Sequence, residues 1–353
     1  VDDSPIVLHI LQRLLAGSPD IQVVGTAADG KKALDLLPVL SPDVICTDLH
    51  MPVMNGLELT QAIMMNQPLP ILGVSASLEP GSPNIFRLLD AGAVDIFPKP
   101  RDFLGINEAK LAQELASKIR ILAGVKVIRR VRATPLSPRP PARQPSLGSH
   151  APQEIVVIGA STGGPRALRQ ILAALPADFP VPVACVQHIG GDFMPDMLSW
   201  LGDASALRVC RALNGELPRA GCIHFAPPDV HLEIDGQGHF RFSSDLPVEG
   251  HRPSATVLMR TAALSLGQHV TGVLLTGMGR DGAEGMASIA AAGGVTIAQD
   301  EATSVVWGMP GQAVALGAAR FVLPIEQIAS SLVALATNSE ISLSNHLNWK
   351  RTS

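Results

Sequence analysis

The chain has 353 residues, 46% hydrophobic and 16% charged, with a formal charge of −4. Single cores stop growing at roughly 250–300 residues, so two domains are expected, and no apolar run stays free of polar or turn residues for the roughly 20 positions a membrane span needs. Six cations and no acid lie between Lys126 and His150, leaving −10 on the rest, a balance that argues against nucleic acid as a partner of the folded domains. No signal-type segment opens the sequence, and Cys46, Cys185, Cys210 and Cys222 lack the C-x-x-C spacing of a zinc or redox site. A reducing cytoplasm and buried thiols are the expectation.

In chain order, the helical patterns IVLHILQRLLAGS, GKKALDLLPVL, GLELTQAIMM and NEAKLAQELASKIRIL alternate with the strand-like runs DVICTD, PILGVS and AVDIF. A basic stretch follows that carries Pro135, Pro138, Pro140, Pro141 and Pro145 and has neither periodicity, so it reads as a semi-extended linker. The alternation resumes with EIVVIG, VPVACVQH, VTGVLLT and GGVTIAQ, with one hairpin signal in HLEIDGQGHFRF. Both halves are therefore expected to be α/β, doubly wound domains with parallel sheets. The expected bounds are 1–124, a linker at 125–151, 152–340, and a polar tail at 341–353.

Parallel sheets gather their chemistry at the C-terminal strand ends. In the first half Asp2 and Asp3 open the chain and Asp48 closes DVICTD. Three carboxylates at one sheet edge repel one another unless a divalent cation joins them, and hard oxygen donors favour magnesium. Ser75 and Lys99 end the next two runs and bring a hydroxyl and an ammonium to the same edge, a set suited to a phosphoryl group on Asp48.

The stretches VDDS, DLHMPVMNG, VSAS and AVDIFPKP resemble the receiver domain of two-component response regulators, over about residues 1–124. The resemblance implies a flavodoxin-like fold, phosphorylation of Asp48 by a histidine kinase, magnesium on Asp2, Asp3 and Asp48, and phosphoryl sensing by Ser75 and Lys99. Receivers carry an apolar strand before the acidic pair, where this sequence has only Val1. A sheet short of that strand is expected to expose apolar faces. Ile96 stands where receivers usually have an aromatic residue.

In the second half, VIGASTGGP poses a choice between a phosphate cradle and an exposed nucleophile. Ser161 replaces the middle glycine of G-x-G-x-x-G, Pro165 follows at once, and no acid ends a second strand about twenty residues on. Gly159, Ser161 and Gly163 do fit G-x-S-x-G, in which a tight strand-to-helix turn lifts a serine oxygen above the sheet. Such a serine needs a base. His188 ends the next strand, whereas His231 and His239 flank a hairpin turn, His9 and His50 belong to the first half and His346 to the tail. Asp281, in the loop after VTGVLLT, is the candidate to orient the imidazole. The chain order Ser161, His188, Asp281 differs from that of α/β-hydrolases. His251, Arg252 and Ser254 either line a substrate groove or shape a helix start, Met278 is expected to bury its side chain, and Trp307 is assigned to packing.

The stretches IGASTGGP, QHIGGDF, HFAPPDVHLEI, HRPSATVLMRTAA, GVLLTGMGRDGAEGM and IAQDEATSVVWGMPGQAVALGAA resemble the catalytic domain of the chemotaxis protein-glutamate methylesterase family, CheB, over about residues 152–337. The resemblance implies a Rossmann-like domain with a Ser161, His188 and Asp281 triad, supported by the Met278 backbone N–H and the neighbourhood of Thr162. It also implies hydrolysis of glutamyl methyl esters on methyl-accepting chemotaxis receptors, glutamine deamidation in many members, and no cofactor for catalysis. A cytoplasmic monomer, phosphorylated by a chemotaxis histidine kinase and neither inserting into membranes nor binding nucleic acid, is expected. Were the first domain to cover the site, phosphorylation would shift the population toward an uncovered one. The alternatives are a non-enzymatic two-component binding module and, disfavoured by the lack of a basic recognition helix, a DNA-binding regulator.

Overall fold

The structure is a computed structural model that describes residues 1–75, 85–99, 108–125, 127 and 150–337. Most of the Pro-rich segment and everything past 337 lie outside the described residues. The chain divides into two compact units near residue 133, with Asp192–Trp200 grouped with the first.

The first unit runs α1 (Pro5–Ala16), α2 (Gly30–Leu40), β1 (Ile45–Thr47), α3 (Gly56–Asn66), β2 (Ile71–Ser75), α4 (Arg87–Ala91), β3 (Asp95–Pro98) and α5 (Glu108–Ala123). Its helices start on local signals. Ser4 caps α1 ahead of Pro5, the Asp29 carboxylate accepts from the Lys32 N–H at 2.8 Å to cap α2, and Asn55 and Glu58 form a reciprocal capping box on α3. β2 is buried along its whole length and pairs in parallel with β1 on one side and β3 on the other. Asp48, Ser75 and Lys99 therefore arrive at one edge of this sheet. The Asp48 N–H donates to Val1 O (2.9 Å) and the Asp2 N–H to Ala27 O (3.0 Å), which brings Asp2 to the same edge. Beside Val1, a cavity of about 430 Å3 is lined by Leu8, Leu15, Val24, Leu37 and Ile45 among others. Val23 and Val24 expose 39% and 43% of their surface.

From residue 155 the chain continues with β4 (Ile155–Ala160), α6 (Gly164–Ala174), β5 (Val183–Gln187), α7 (Met194–Gly202), β6 (Arg208–Arg211), β7 (Cys222–Phe225), β8 (His231–Ile234) and β9 (Phe240–Ser243), all in the second unit except most of α7. These are followed by α8 (Ala255–Leu266), β10 (Val270–Leu274), α9 (Ala283–Ala291), β11 (Val295–Gln299), α10 (Met309–Ala315), β12 (Phe321–Leu323) and α11 (Ile325–Thr337). α7 straddles the boundary between the units. Seven strands form one parallel sheet in the order β12-β11-β10-β4-β5-β7-β6, and β8 and β9 form the expected antiparallel hairpin. Ile155 and Val157 of β4 share a cluster with Leu258 and Met259 of α8 and Met286 and Ile289 of α9. The alternate residues Val156 and Ile158 are equally buried on the opposite face, so helices cover both sides, as continuous apolar strands require. β6, β7 and β12 are short and were not marked by the sequence pattern. Only Cys185 is buried; Cys46, Cys210 and Cys222 are half-buried, and all four thiols are free. β6 and β7 form the far edge of the sheet, which is why Cys210 and Cys222 are only partly covered. Among the described residues no helix is long and apolar enough to cross a membrane.

Candidate functional site

Three neighbouring strands carry the candidate residues of the second unit. Ser161 follows β4, His188 follows β5 in the register Ala160↔Gln187, and Asp281 lies in the loop after β10, which flanks β4 on its other side. At the β4 end the chain turns sharply. The Ser161 N–H donates to Thr276 O (3.1 Å) and the Gly164 N–H back to Ser161 O (2.8 Å), while Gly163 takes φ +76°. A side chain there would be strained in its backbone and would meet Val305 at 2.7 Å. α6 begins directly behind the turn, so Ser161 sits before a helix N-terminus with its positive dipole end.

His188 is tied to this turn through its N–H, which donates to Ala160 O at 3.0 Å. The buried Gln187 side chain clamps both residues, since its Nε2 donates to Ser161 O (2.9 Å) and to His188 O (3.1 Å). Two further loops are fastened alongside. The Thr276 N–H donates to Gln299 Oε1 (2.8 Å), and the Thr276 hydroxyl donates to Thr162 O (3.0 Å).

Asp281 is fully buried and accepts four donors. Ser254 Oγ (2.6 Å) and the Thr256 N–H (3.0 Å) reach Oδ1, and the Ala255 N–H (2.7 Å) and His188 Nε2 (2.9 Å) reach Oδ2. Two of these are orphan amides of the first turn of α8, and Ser254 is its N-cap. Burial alone would raise the Asp281 pKa, but the bonds from His188, Ser254 and Thr256 outweigh it and hold the carboxyl far below its usual range. An ionised carboxylate only accepts, so His188 Nε2 carries the proton. Its Nδ1 is buried without a hydrogen-bond partner.

Ser254 thus caps a helix and grips the acid at once; fully buried, it takes the helix-start role weighed for it and does not line a groove. Arg252 reaches Ser244 O and Asp245 O at 3.1 and 3.2 Å. Met278 corrects the sequence reading, because 44% of its surface is exposed. The preceding Gly277 is pinned by its N–H to Val306 O and through its own carbonyl by the Gly308 and Met309 N–H groups, so the next residue projects outward. Trp307 is a packing residue with its Nε1–H on Gln299 O at 3.0 Å.

Several neighbours have contacts the sequence did not suggest, among them His251, which was weighed there for a groove or a helix start. The flat face of His251 stacks on His188, with centroids 3.7 Å apart and 6° between planes. His231, taken for a turn residue, is buried; its Nδ1 accepts from the Ser254 N–H (3.2 Å) and its Nε2 donates to Leu246 O (3.1 Å). Arg280 makes a two-point ion pair with Glu249 at 2.7 and 2.8 Å, which lowers the Glu249 pKa. The only sequence signal for any of these was the N-cap pattern at Ser254, whose helix start invites an anion.

In the first unit Asp2, Asp3 and Asp48 offer carboxylate oxygens within 4.8 Å of one another. Lys99 Nζ lies 2.8 Å from Asp48 Oδ2 and 2.7 Å from Asp2 Oδ2, yet the latter oxygen is buried without an aligned donor. Burial raises the Asp48 pKa against the lowering effect of Lys99. The Lys99 pKa is raised because its bonds to Asp2 and Asp48 overcome the cost of burial. Three carboxylates that bring hard oxygens this close together fit a magnesium ion. Ser75 is buried at the end of β2, and its carbonyl accepts from the Lys99 N–H at 2.7 Å. Ile96 is buried in β3.

Comparison with known proteins matches residues 156–332 to the family model described as CheB methylesterase and residues 1–109 to that of the response regulator receiver domain. A protein-glutamate methylesterase/protein-glutamine glutaminase of Nitrosospira multiformis is 43% identical over 338 residues, 95% of each chain. One from Anaeromyxobacter dehalogenans is 45% identical over 331 residues, 94% of each. The crystal structure of the Thermotoga maritima CheB methylesterase catalytic domain superposes with a TM-score of 0.51 at 37% identity, covering 52% of this chain and all of that one.

Proposed function

The chain belongs to the CheB methylesterase family and carries a response regulator receiver domain, and from that premise we propose that it hydrolyses glutamyl methyl esters of methyl-accepting chemotaxis receptors in the cytoplasm. The observation that carries the proposal is the imidazole of His188, with Nε2 on the ionised Asp281 carboxylate at 2.9 Å, on a residue whose backbone N–H is bonded to Ala160 O at the start of the Ser161 turn. We assign Ser161 as nucleophile, His188 as base and Asp281 as its orienting acid.

Ser161 Oγ attacks the ester carbonyl carbon as its proton passes to Nδ1 of His188. The oxyanion forms before the α6 N-terminus, with the Met278 N–H and the Thr162 turn at hand. The bond from carbon to methoxy oxygen then breaks, His188 returns the proton, and methanol leaves. Water attacks the acyl-enzyme by the reverse proton path and releases the glutamate carboxylate and the Ser161 hydroxyl. A side-chain amide runs through the same steps with ammonia as leaving group, which makes glutamine deamidation the companion reaction, in keeping with the glutaminase in the relatives' names.

In the receiver we assign Asp48 as the phosphoryl acceptor from a chemotaxis histidine kinase, with Ser75 and Lys99 contacting the phosphoryl oxygens. Asp2, Asp3 and Asp48 would hold Mg2+, which supplies charge neutralisation when bound. The state of Asp48 sets the rate of hydrolysis in this reading. We take the domain bounds as 1–124 and 152–340.

The test is methanol release from methylated receptor membranes by the full chain with Mg2+, with and without a small phosphodonor, and Ser161→Ala as blank. Release that needs Ser161 and rises with the phosphodonor is expected. Release by Ser161→Ala would overturn the site, and release indifferent to the phosphodonor would overturn the regulation alone.

A further inference from the structure

Among the described residues, the His188 ring is hydrogen-bonded along one edge, by Asp281, and its Nδ1 has no partner. A single hydrogen bond leaves an imidazole free to swing about it, and a displaced lone pair is a poor base. The remaining constraint comes from a loop between β9 and α8. Val248 and His251 exchange two backbone bonds, Val248 N–H to His251 O at 3.1 Å and His251 N–H to Val248 O at 2.9 Å. The two residues between them, Glu249 and Gly250, take φ +50° and +80°, the pattern of a type I′ turn. Glu249 at the tip is bonded twice to Arg280, the residue before Asp281. Arg252 ties the base of the loop to Ser244 O and Asp245 O. What this doubly anchored turn delivers is the flat face of His251, 3.7 Å from that of His188 and within 6° of parallel.

We propose that His251 is a positioning residue for the esterase reaction, a planar plate that fixes the ring plane of His188. The stack stops rotation of the His188 ring out of the plane that contains Asp281, and it keeps water from one face of the base. The turn and the Glu249–Arg280 pair serve to hold the plate, so the loop that brings His251 is coupled to the loop that brings Asp281. The inference rests on the assignment of His188 as base.

Four forms of the full chain separate the possibilities: wild type, His251→Ala, His251→Phe and His251→Leu, assayed by methanol release over a range of methylated receptor concentrations. His251→Ala is expected to lower kcat by about 10–100-fold, the scale of a misplaced catalytic group, with KM unchanged. His251→Phe, which keeps a plane, is expected to recover most of that loss, and His251→Leu, which keeps bulk without a plane, is not. Should His251→Ala fail to fold, Phe against Leu carries the same comparison, with unfolding temperature as the control. Equal kcat for Phe and Leu, a wild-type kcat for Ala, or an effect confined to KM overturns the proposal. Activity surviving in Ser161→Ala would bring down the assignment of the site itself, whereas a silent Ser161→Ala beside a fully active His251→Ala brings down the plate alone.

Discussion

Replacing Asp281 by Asn tests the seat of the acid, because its two oxygens share four donors that an amide cannot satisfy. With the NH2 group in the place of Oδ1, the Ser254 hydroxyl can turn to accept, but the Thr256 N–H then faces another donor. With NH2 in the place of Oδ2, the Ala255 N–H is stranded and His188 must accept at Nε2, which moves its proton to Nδ1 and removes the lone pair. Either way one buried backbone N–H loses its partner, a cost of about 1–3 kcal/mol. For a unit of this size that lowers Tm by roughly 2–12 °C. Rate suffers more, since the neutral side chain neither selects the tautomer nor balances the imidazolium, and kcat is expected to fall by about 10^3–10^4. Asp281 has no exposed surface to offer a substrate, so KM stays as it was. Calorimetry and methanol release on the same preparation read both effects. An Asn variant that unfolds at the wild-type temperature, or keeps more than about a tenth of kcat, would refute the reasoning.

Gln187→Glu sets an acceptor against Ser161 O and His188 O in place of a donor; a loss of about 1–3 kcal/mol in urea unfolding is expected, and an unchanged midpoint would contradict the clamp. Gly163→Ala meets both a φ of +76° and Val305, so the same unfolding experiment should show a loss of about 1–3 kcal/mol. For pH, the folded Asp281 pKa lies below its ordinary 3.8, so its stabilisation is complete above that value and is lost as pH falls through the lower folded one. Unfolding free energy between about pH 5 and pH 2 should therefore fall more steeply for wild type than for Asp281→Asn, and parallel curves would show that the carboxyl is not held down. In the receiver, Lys99→Met removes the ammonium between Asp2 and Asp48; Tm should drop at neutral pH, and Mg2+ should raise Tm by more in the variant than in wild type.

The sequence made the scaffold legible where one signal dominates. Buried parallel strands such as Val156 to Ala160 are apolar throughout, and turns that demand a small residue declare themselves through glycine, as at Gly163. Ser161, His188, Asp281 and Asp48 could be singled out because each ends such a strand or follows it closely. β6 escaped notice because Arg208 and Arg211 bracket an edge strand that needs no apolar run, and β12 because it is only three residues long. The surroundings of the acid were hidden for another reason. Ser254 reaches it directly, His231 through Ser254 and His251 through His188, by contacts between segments far apart in the chain, and nothing in HLEI or HRPS distinguishes an imidazole that accepts from a backbone amide from one in water. Met278 misled because apolar character was taken for burial, while the bonds that turn its loop outward belong to Gly277 and Gly308.

The adjacency of β10, β4 and β5 also bears on ancestry. The proposed nucleophile, base and acid follow three lateral neighbours of one sheet, so their order along the gene is immaterial to the geometry. Shuffling the strands of a doubly wound sheet can yield the same constellation under a different reading order. The stretch from His188 to Asp281, 93 positions apart, is then free to take up inserted segments, and the hairpin and the turn bearing His251 both lie within it. Kinship among hydrolases of this architecture is better sought in which strands are neighbours than in the succession of their motifs.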